Sequence, residues 1–213
     1  MSRPKLLDLF CCQGGASMGY HAAGFDVVGV DIEPQPRYPF EFHQGDALDF
    51  LERHGHEFDA IHASPPCQAF TNAQKIQGNR HPDLLTPVRE LLSELGKPFV
   101  IENVPGAPLI NPVQLCGAMF GLRTYRHRLF ESNIQLWAPS HPEHMARTTK
   151  MGRPPADGEY MHVVGNFSGV DLAREAMGMP WASRDGLREA IPPAYTEHIG
   201  AQLIAHLARQ VAA

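Results

Sequence analysis

Short apolar runs recur along the first half of the chain, and each one stops at a glycine, a proline or a residue that can do chemistry. KLLDLF leads through CCQ to Gly14-Gly15, and VVGVDI holds Asp31 and Ile32 at its end. FEFHQ stops at Gly45-Asp46, FDAIHAS runs into Pro65-Pro66-Cys67, and PFVIENV carries Glu102-Asn103. Short continuous apolar runs of this kind read as strands buried on both faces. A helix can start at the glycine pair, and DALDFLERHG reads as another. In PDLLTPVRELLSELG, Leu84, Leu85, Val88, Leu91, Leu92 and Leu95 have helical spacing, with Pro87 a blemish near the start. Strands alternating with helices predict an α/β fold: an open parallel sheet covered on both faces.

A chain of 213 residues fits one domain with a small appended lobe, and an apolar fraction of 43% supplies a sizeable core. Beyond residue 130 the periodicity weakens. Residues 137–180 are rich in Pro, Gly, His and Met, offer only short strand candidates such as YMHVVGNF, and are expected to form a small lobe between a main domain (1–136) and a C-terminal segment (181–213). AYTEHIGAQLIAHLARQVAA predicts an amphipathic helix on Ile199, Leu203, Ile204, Leu207 and Val211 that packs back onto the sheet. Trp137 and Trp181 bracket the lobe as expected packing anchors. No apolar run approaches the ~20 residues of a membrane span, and MSRPKLLDLF is no signal peptide, so a cytoplasmic protein is expected; a monomer is expected as well.

The four cysteines, Cys11, Cys12, Cys67 and Cys116, show no CxxC spacing, which speaks against a zinc knot or a disulfide framework. Cys116 is expected in the core, and Cys11 in the core or in a pocket wall. Among twelve histidines, His141 and His144 share a loop but lack a third ligand at a sensible spacing, so no metal is expected. The net charge of −5 argues against general affinity for nucleic acid. Residues 123–153 differ, setting Arg123, Arg126, Arg128, Arg147, Lys150 and Arg153 against Glu131 and Glu143. That segment is either a phosphate-contacting face or an ordinary solvated one.

In a parallel sheet, ligands bind beyond the carboxyl ends of the strands. Gly14-Gly15, Asp31, Asp46, Cys67 and Glu102 all fall there. Each has a bland alternative: a turn glycine, helix-capping aspartates, a core cysteine, a salt-bridged glutamate. Taken together they suit a site. A thiolate at Cys67, held by Pro65-Pro66, with a buried glutamate at Glu102 to hydrogen-bond a ring nitrogen, suits attack on an electron-poor heteroaromatic ring. The glycine turn with Asp31 and Asp46 suits a nucleoside cofactor, and neither GxxxxGK[ST] nor GxGxxG is present for ATP or NAD.

LLDLFCCQGG, GVDI, QGDAL, SPPCQAFT, IENV, YRHRLFES and IPPAYTEHIGAQL occur in the order found in the DNA cytosine-5 methyltransferases, and the chain resembles that family nearly throughout, apart from about residues 137–178. The resemblance implies a Rossmann-like S-adenosylmethionine-dependent methyltransferase fold with a small target-recognition lobe. It implies that Cys67 adds to C6 of a cytosine flipped out of double-stranded DNA, that Glu102 contacts N3 and the exocyclic amine, and that Arg128 contacts O2, with Arg126 in the same site. For S-adenosylmethionine it implies Phe10 on the adenine, Gly14 and Gly15 near the methionine portion, Asp31 and Ile32 at the ribose, Asp46 and Ala47 at the adenine edge, and Pro66, Ala190 and Ile191 lining the pocket. FTNAQKIQGNRHPD matches a loop that closes over DNA, with Gln74, Lys75, Gln77 and Arg80 as its candidate contacts. Arg147, Lys150 and Arg153 are expected on phosphates.

Three positions depart from the family pattern. Cys12, with Gln13 after it, replaces the first glycine of the turn, where a positive φ costs about 1 kcal/mol. Thr124 replaces a glutamine, and Glu189 replaces an asparagine, where it is expected to turn outward. The short target-recognition region implies a short or relaxed target sequence. RNA as substrate, a modified cofactor, and a catalytically silent relative are the alternatives that the motifs leave open.

Overall fold

The computed structural model describes residues 2–66, 83–150 and 152–212. Its centre is a seven-stranded sheet of order β3-β2-β1-β4-β5-β7-β6. The strands are β1 (Lys5–Leu9), β2 (Asp26–Asp31), β3 (Glu41–Gln44), β4 (Ala60–Ala63), β5 (Phe99–Asn103), β6 (Val113–Leu115) and β7 (Arg128–Ser132). The five strands expected from the apolar runs are present and mutually parallel. The sheet as a whole is mixed, because β7 runs antiparallel to both β5 and β6. VQL and RLFES are too short and too polar to announce these two strands by pattern. The chain leaves β1 toward β2 and β3, then returns to place β4 on the other side of β1. That reversal opens a crevice at the carboxyl ends of β1 and β4, where an α/β sheet takes its ligand.

Pleating assigns neighbouring residues to opposite faces. Leu6, Val27, Val100 and Phe130 join Tyr20 and Phe25 under α1 (Gly15–Ala23) and the long C-terminal helix α6 (Pro193–Ala212). Leu7, Leu9, Val30, Ile61 and Ile101 pack on the other face against α2 (Ala47–His54) and α3 (Leu85–Leu95). In α6, Ile199 and Leu203 are fully buried as expected, whereas Val211 is 89% exposed, since the helix runs on past the sheet. The two covering helices on the first face lie very close: a Cβ on Gly19 would fall 2.1 Å from the Pro193 carbonyl oxygen. Thr196 then donates its hydroxyl to the Ala16 carbonyl at 2.8 Å.

A third cluster joins Met161, Val163 and Phe167 to α4 (Val170–Met177) and α5 (Arg184–Glu189), running from residue 161 to Ala190. The strand suggested by YMHVVGNF is absent; an isolated bridge between Thr148 and Tyr160 stands in its place. Trp181 is half-buried and anchors this region, its indole N–H donating to the Gln13 carbonyl. Trp137, expected as the matching anchor, is 60% exposed and rests edge-on against His198 of α6. Among the described residues, no helix is long and apolar enough to cross a membrane.

Candidate active site

The turn after β1 is bent by three left-handed residues, Phe10 at φ 60°, Cys12 at 45° and Gly14 at 77°. The positive φ at Cys12 is therefore present, and a side chain there is strained. Asp31 offsets part of that cost. Its Oδ2 accepts the Cys12 N–H at 2.9 Å and its Oδ1 accepts the Glu33 N–H at 3.0 Å, so the carboxylate at the end of β2 holds the turn in shape. Asp31 is 8% exposed, and the neighbouring Ile32 leaves 62% of its surface uncovered. A buried acceptor thus stands beside an open apolar side chain.

At the next two strand ends, Glu102 of β5 faces Arg128 of β7, with Nε 2.9 Å from Oε1. Among the described residues Oε1 has this charge contact but no hydrogen-bond donor. Burial pushes the Glu102 carboxyl above its ordinary range, against the opposing pull of Arg128, Arg126 and a hydrogen bond from Ser64. Behind it runs a buried polar chain. His62 Nε2 lies 2.8 Å from the Ser64 hydroxyl, and Tyr20 OH lies 2.9 Å from His62 Nδ1. Burial pushes His62 down to about 3, so the ring is neutral. Tyr20 then donates to Nδ1, Nε2–H donates to Ser64, and Ser64 donates to Glu102. Asn103 closes the gap between strands by donating to the Pro65 carbonyl at 3.1 Å.

These groups line one cleft of about 350 Å³ with Phe10, Cys12, Asp31, Ile32, Pro66, Glu102 and Arg128 in its wall. A larger hollow of about 570 Å³ lies at the opposite ends of the strands beside Lys5, Asp26 and Glu41, away from every strand-end group named above. The smaller cleft is the chemically equipped one. Asp31, Glu33, Glu102 and Glu189 face it against Arg128 and Arg188, an acidic balance that favours a ligand of net positive charge. S-adenosylmethionine, with a sulfonium and an ammonium against one carboxylate, meets that balance. Asp31 offers remaining lone pairs to a ribose diol, and Phe10 and Ile32 offer apolar surface to a base. On these observations the residues fit the cofactor.

Other expected contacts stand apart from the cleft. Asp46 caps α2, its Oδ1 accepting from the Leu48 and Asp49 N–H groups at 2.8 and 3.0 Å, which is the bland alternative for an aspartate there. Ala47 is buried beneath it. Gly14 and Gly15 are required by protein packing: added Cβ atoms would meet Pro39 at 2.8 Å and the Ile191 carbonyl at 2.4 Å. Ala190 and Ile191 are buried in the clusters on either side of them. Glu189 does not turn away. It lines the cleft with Oε2 3.7 Å from Cys12 Sγ, because α5 ends by directing it toward the β1 turn. Thr124 is buried, and Cys11 is a core residue.

Arg126 does structural work at a left-handed φ of 29°. Its guanidinium donates to the carbonyls of Val163, Arg188 and Ala190 at 2.6–2.8 Å, joining the third cluster to the strand that carries Arg128. Arg153, expected on phosphate, is paired with Glu159 at 2.6 and 2.7 Å, whereas Arg147 and Lys150 are exposed. Cys67, Gln74, Lys75, Gln77 and Arg80 lie outside the described residues. The sequence pattern does not reveal the Tyr20–His62–Ser64 chain, although the HAS preceding Pro65 is its visible trace. Nor does it reveal a second cluster. The loop histidines do have partners, because Cys116, His127, His141 and His144 bring one ligand atom each within 4.8 Å of one another.

The family model described as C-5 cytosine-specific DNA methylase matches residues 4–111. The type II methyltransferase M.AquIA of Picosynechococcus is 32% identical over 124 residues, covering 48% of this chain and 49% of that protein. M.XorII of Xanthomonas oryzae is 33% identical over 124 residues, covering 50% of this chain and 29% of that protein. The chain thus spans about half or less of the length of these relatives. Among solved structures, a protein described as a DNA modification methyltransferase of an E. coli prophage superposes with a TM-score of 0.66 at 17% identity, over 97% of this chain and 99% of its own. The S. pombe Dnmt2 methyltransferase gives 0.65 at 13%, with the same coverage. At these identities the superpositions show a shared α/β methyltransferase fold.

Proposed function

The chain belongs to the C-5 cytosine-specific DNA methylases, and from that premise we propose that it transfers a methyl group to C5 of a cytosine flipped out of double-stranded DNA. One observation carries the reading. Pro66, the residue before Cys67, lines a single cleft with both the Glu102–Arg128 pair and the Phe10–Asp31–Ile32 group. The cofactor, S-adenosylmethionine, supplies an electrophilic methyl group when bound. Asp31 takes its ribose hydroxyls, Phe10 and Ile32 its adenine, and Glu33 and Glu189 add negative charge for its cationic part.

Cys67 adds to C6 of the base. Glu102, whose carboxyl burial pushes above its ordinary range, hydrogen-bonds N3 and so draws electrons from the ring, while Arg128 neutralises charge accumulating on O2. The Ser64–His62–Tyr20 chain holds Glu102 in place. After methyl transfer the C5 proton leaves as a proton to base, the electrons of that bond re-form the C5–C6 double bond, and the Cys67 thiolate departs. Flipping costs a few kcal/mol of stacking and pairing, which contacts from Arg147 and Lys150 to the backbone help to offset.

Duplex DNA carrying 5-fluorocytosine in many sequence contexts, incubated with S-adenosylmethionine, tests the reading. Fluorine cannot leave as the proton does, so a covalent adduct is expected to accumulate, to vanish in Cys67→Ser, and to fall ~10²–10⁴-fold in rate in Glu102→Gln. Wild-type protein that binds the cofactor and yet neither traps nor methylates DNA sinks the proposal. Methylation of an RNA duplex in the parallel reaction would reassign the substrate. The flanking sequence of the trapped sites reports the target, for which the limited side chains of residues 137–180 imply a short or relaxed motif.

A further inference from the structure

Cys116, His127, His141 and His144 gather beside the loop that precedes β7, and none of the four lines the cleft. Cys116 follows β6 and is buried; His127 sits between the two arginines of the Arg126–Arg128 segment; His141 and His144 belong to the irregular stretch that follows β7. His127 Nε2 lies 3.1 Å from His141 Nε2, and His144 Nε2 lies 3.4 Å from Cys116 Sγ. A tetrahedron with Zn–N of about 2.0–2.1 Å and Zn–S of about 2.3 Å has N–N edges of about 3.3 Å and N–S edges of about 3.5 Å. Both measured separations match such edges. With all four atoms inside 4.8 Å, small side-chain rotations complete the figure.

We propose that these four residues bind one Zn²⁺ in a closed Cys–His₃ site. The donor set is all nitrogen and sulfur, which selects zinc over calcium or magnesium, and four protein ligands leave no position open for catalysis. The role is therefore structural. Between Ser132 and Val170 the chain has no helix or strand among the described residues, only the bridge at Thr148 and Tyr160. A segment of that length without regular structure is rare in a compact domain unless something ties it down. Here the metal joins residues 141 and 144 to the ends of β6 and β7. Tyr125 reinforces the tie by stacking on His144, with ring centroids 3.6 Å apart. The clamp reaches the active site through one bond, because Arg128 Nη1 donates to the His127 carbonyl at 2.9 Å. On binding, Cys116 releases its thiol proton to solvent and the three imidazoles coordinate in their neutral form.

Metal content of the untagged full chain, purified from zinc-supplemented culture, tests the site without recourse to activity. Elemental analysis is expected to find close to one zinc per chain. Replacement by Co²⁺ is expected to give the visible ligand-field bands of a tetrahedral ion and a near-ultraviolet thiolate-to-cobalt charge-transfer band. The double variant His141→Ala/His144→Ala is expected to lose the metal and both spectral features, and His56→Ala, outside the cluster, to keep them. Circular dichroism of the double variant checks that it folds. Wild-type protein that holds neither ion stoichiometrically, even after refolding with metal, overturns the proposal whatever the variants do. So does a folded double variant with undiminished zinc and an unchanged cobalt spectrum.

Discussion

Asp8 shows how a single residue can set a pH dependence that no surface count reveals. It sits one residue from the end of β1, 1% exposed, with Ser17 donating to Oδ2 and no hydrogen-bond partner for Oδ1 among the described residues. Burial pushes its carboxyl up to about 7. In the unfolded chain it titrates near the ordinary value of 3.8, so between about pH 4 and 7 the folded protein holds a proton that the unfolded one has lost. Stability contributed by Asp8 is therefore full below about pH 4 and falls as pH rises through 7, by an amount on the order of 4 kcal/mol. His62, pushed down from 6.5 to about 3, has the opposite slope between about pH 3 and 6.5, because there the unfolded state binds the extra proton. Urea unfolding of wild type and Asp8→Asn across this range isolates the first effect. The variant should gain stability relative to wild type as pH rises from about 4 to 7, and a constant difference would refute the assignment. The sequence marks Asp8 only as a polar letter inside an apolar run; its environment becomes legible only when Ser17 and Tyr38 arrive from elsewhere in the chain.

At the scale of elements, α6 holds the arginine segment in register. The buried Tyr195 hydroxyl donates to the carbonyls of Tyr125 and Arg126 at 3.2 and 2.9 Å. Tyr125 also accepts from the Gly117 N–H at 2.8 Å, so Tyr195→Phe removes close to one hydrogen bond rather than two. A loss of about 1 kcal/mol is expected, seen as a lower urea midpoint at unchanged m-value. A larger drop in methyl transfer than in cofactor binding should accompany it, since Arg128 stands two residues beyond Arg126. The amphipathic spacing of Ile199 and Leu203 announces that this helix packs on the sheet. Its second task is hidden, because a tyrosine on a buried face reads as core until its hydroxyl is seen to have a destination. For the same reason Asp46 reads in the sequence only as a ligand contact, while in the fold its Oδ1 also serves the first turn of α2.

For the whole molecule, the distribution of charge matters more than its sum. The net charge of −5 gives a field that repels DNA at a distance, so the proposed DNA binding rests on local cations. Arg147 and Lys150 are exposed and available, whereas Arg153 is held by Glu159, whose carboxyl that pairing lowers to about 2. The double variant Arg147→Ala/Lys150→Ala is expected to lower the slope of log K against log salt by about 1.8, roughly 0.9 for each phosphate no longer neutralised. Arg153→Ala is expected to change it far less. Equal effects from all three positions would show that the Glu159 pair opens on binding.

The sequence alone determined the parallel half of the sheet and which of its ends gathers the polar residues, because short apolar runs and the polar residues that stop them are local facts. It also picked out Glu102, Arg128, Phe10 and Asp31, which the fold brings to the wall of one cleft. Only the tertiary structure decided how those residues are held: Asp31 by the strained Cys12 turn, Glu102 by Ser64 and His62, and Arg126 as a clamp on three carbonyls. It decided, too, that Glu189 faces the cleft and that Cys116 and His127 join the two loop histidines. The physical reason is range. Periodicity reports what a residue does within a few positions of itself, whereas a hydrogen bond or a metal ligand is chosen by whatever the fold brings within about 3 Å.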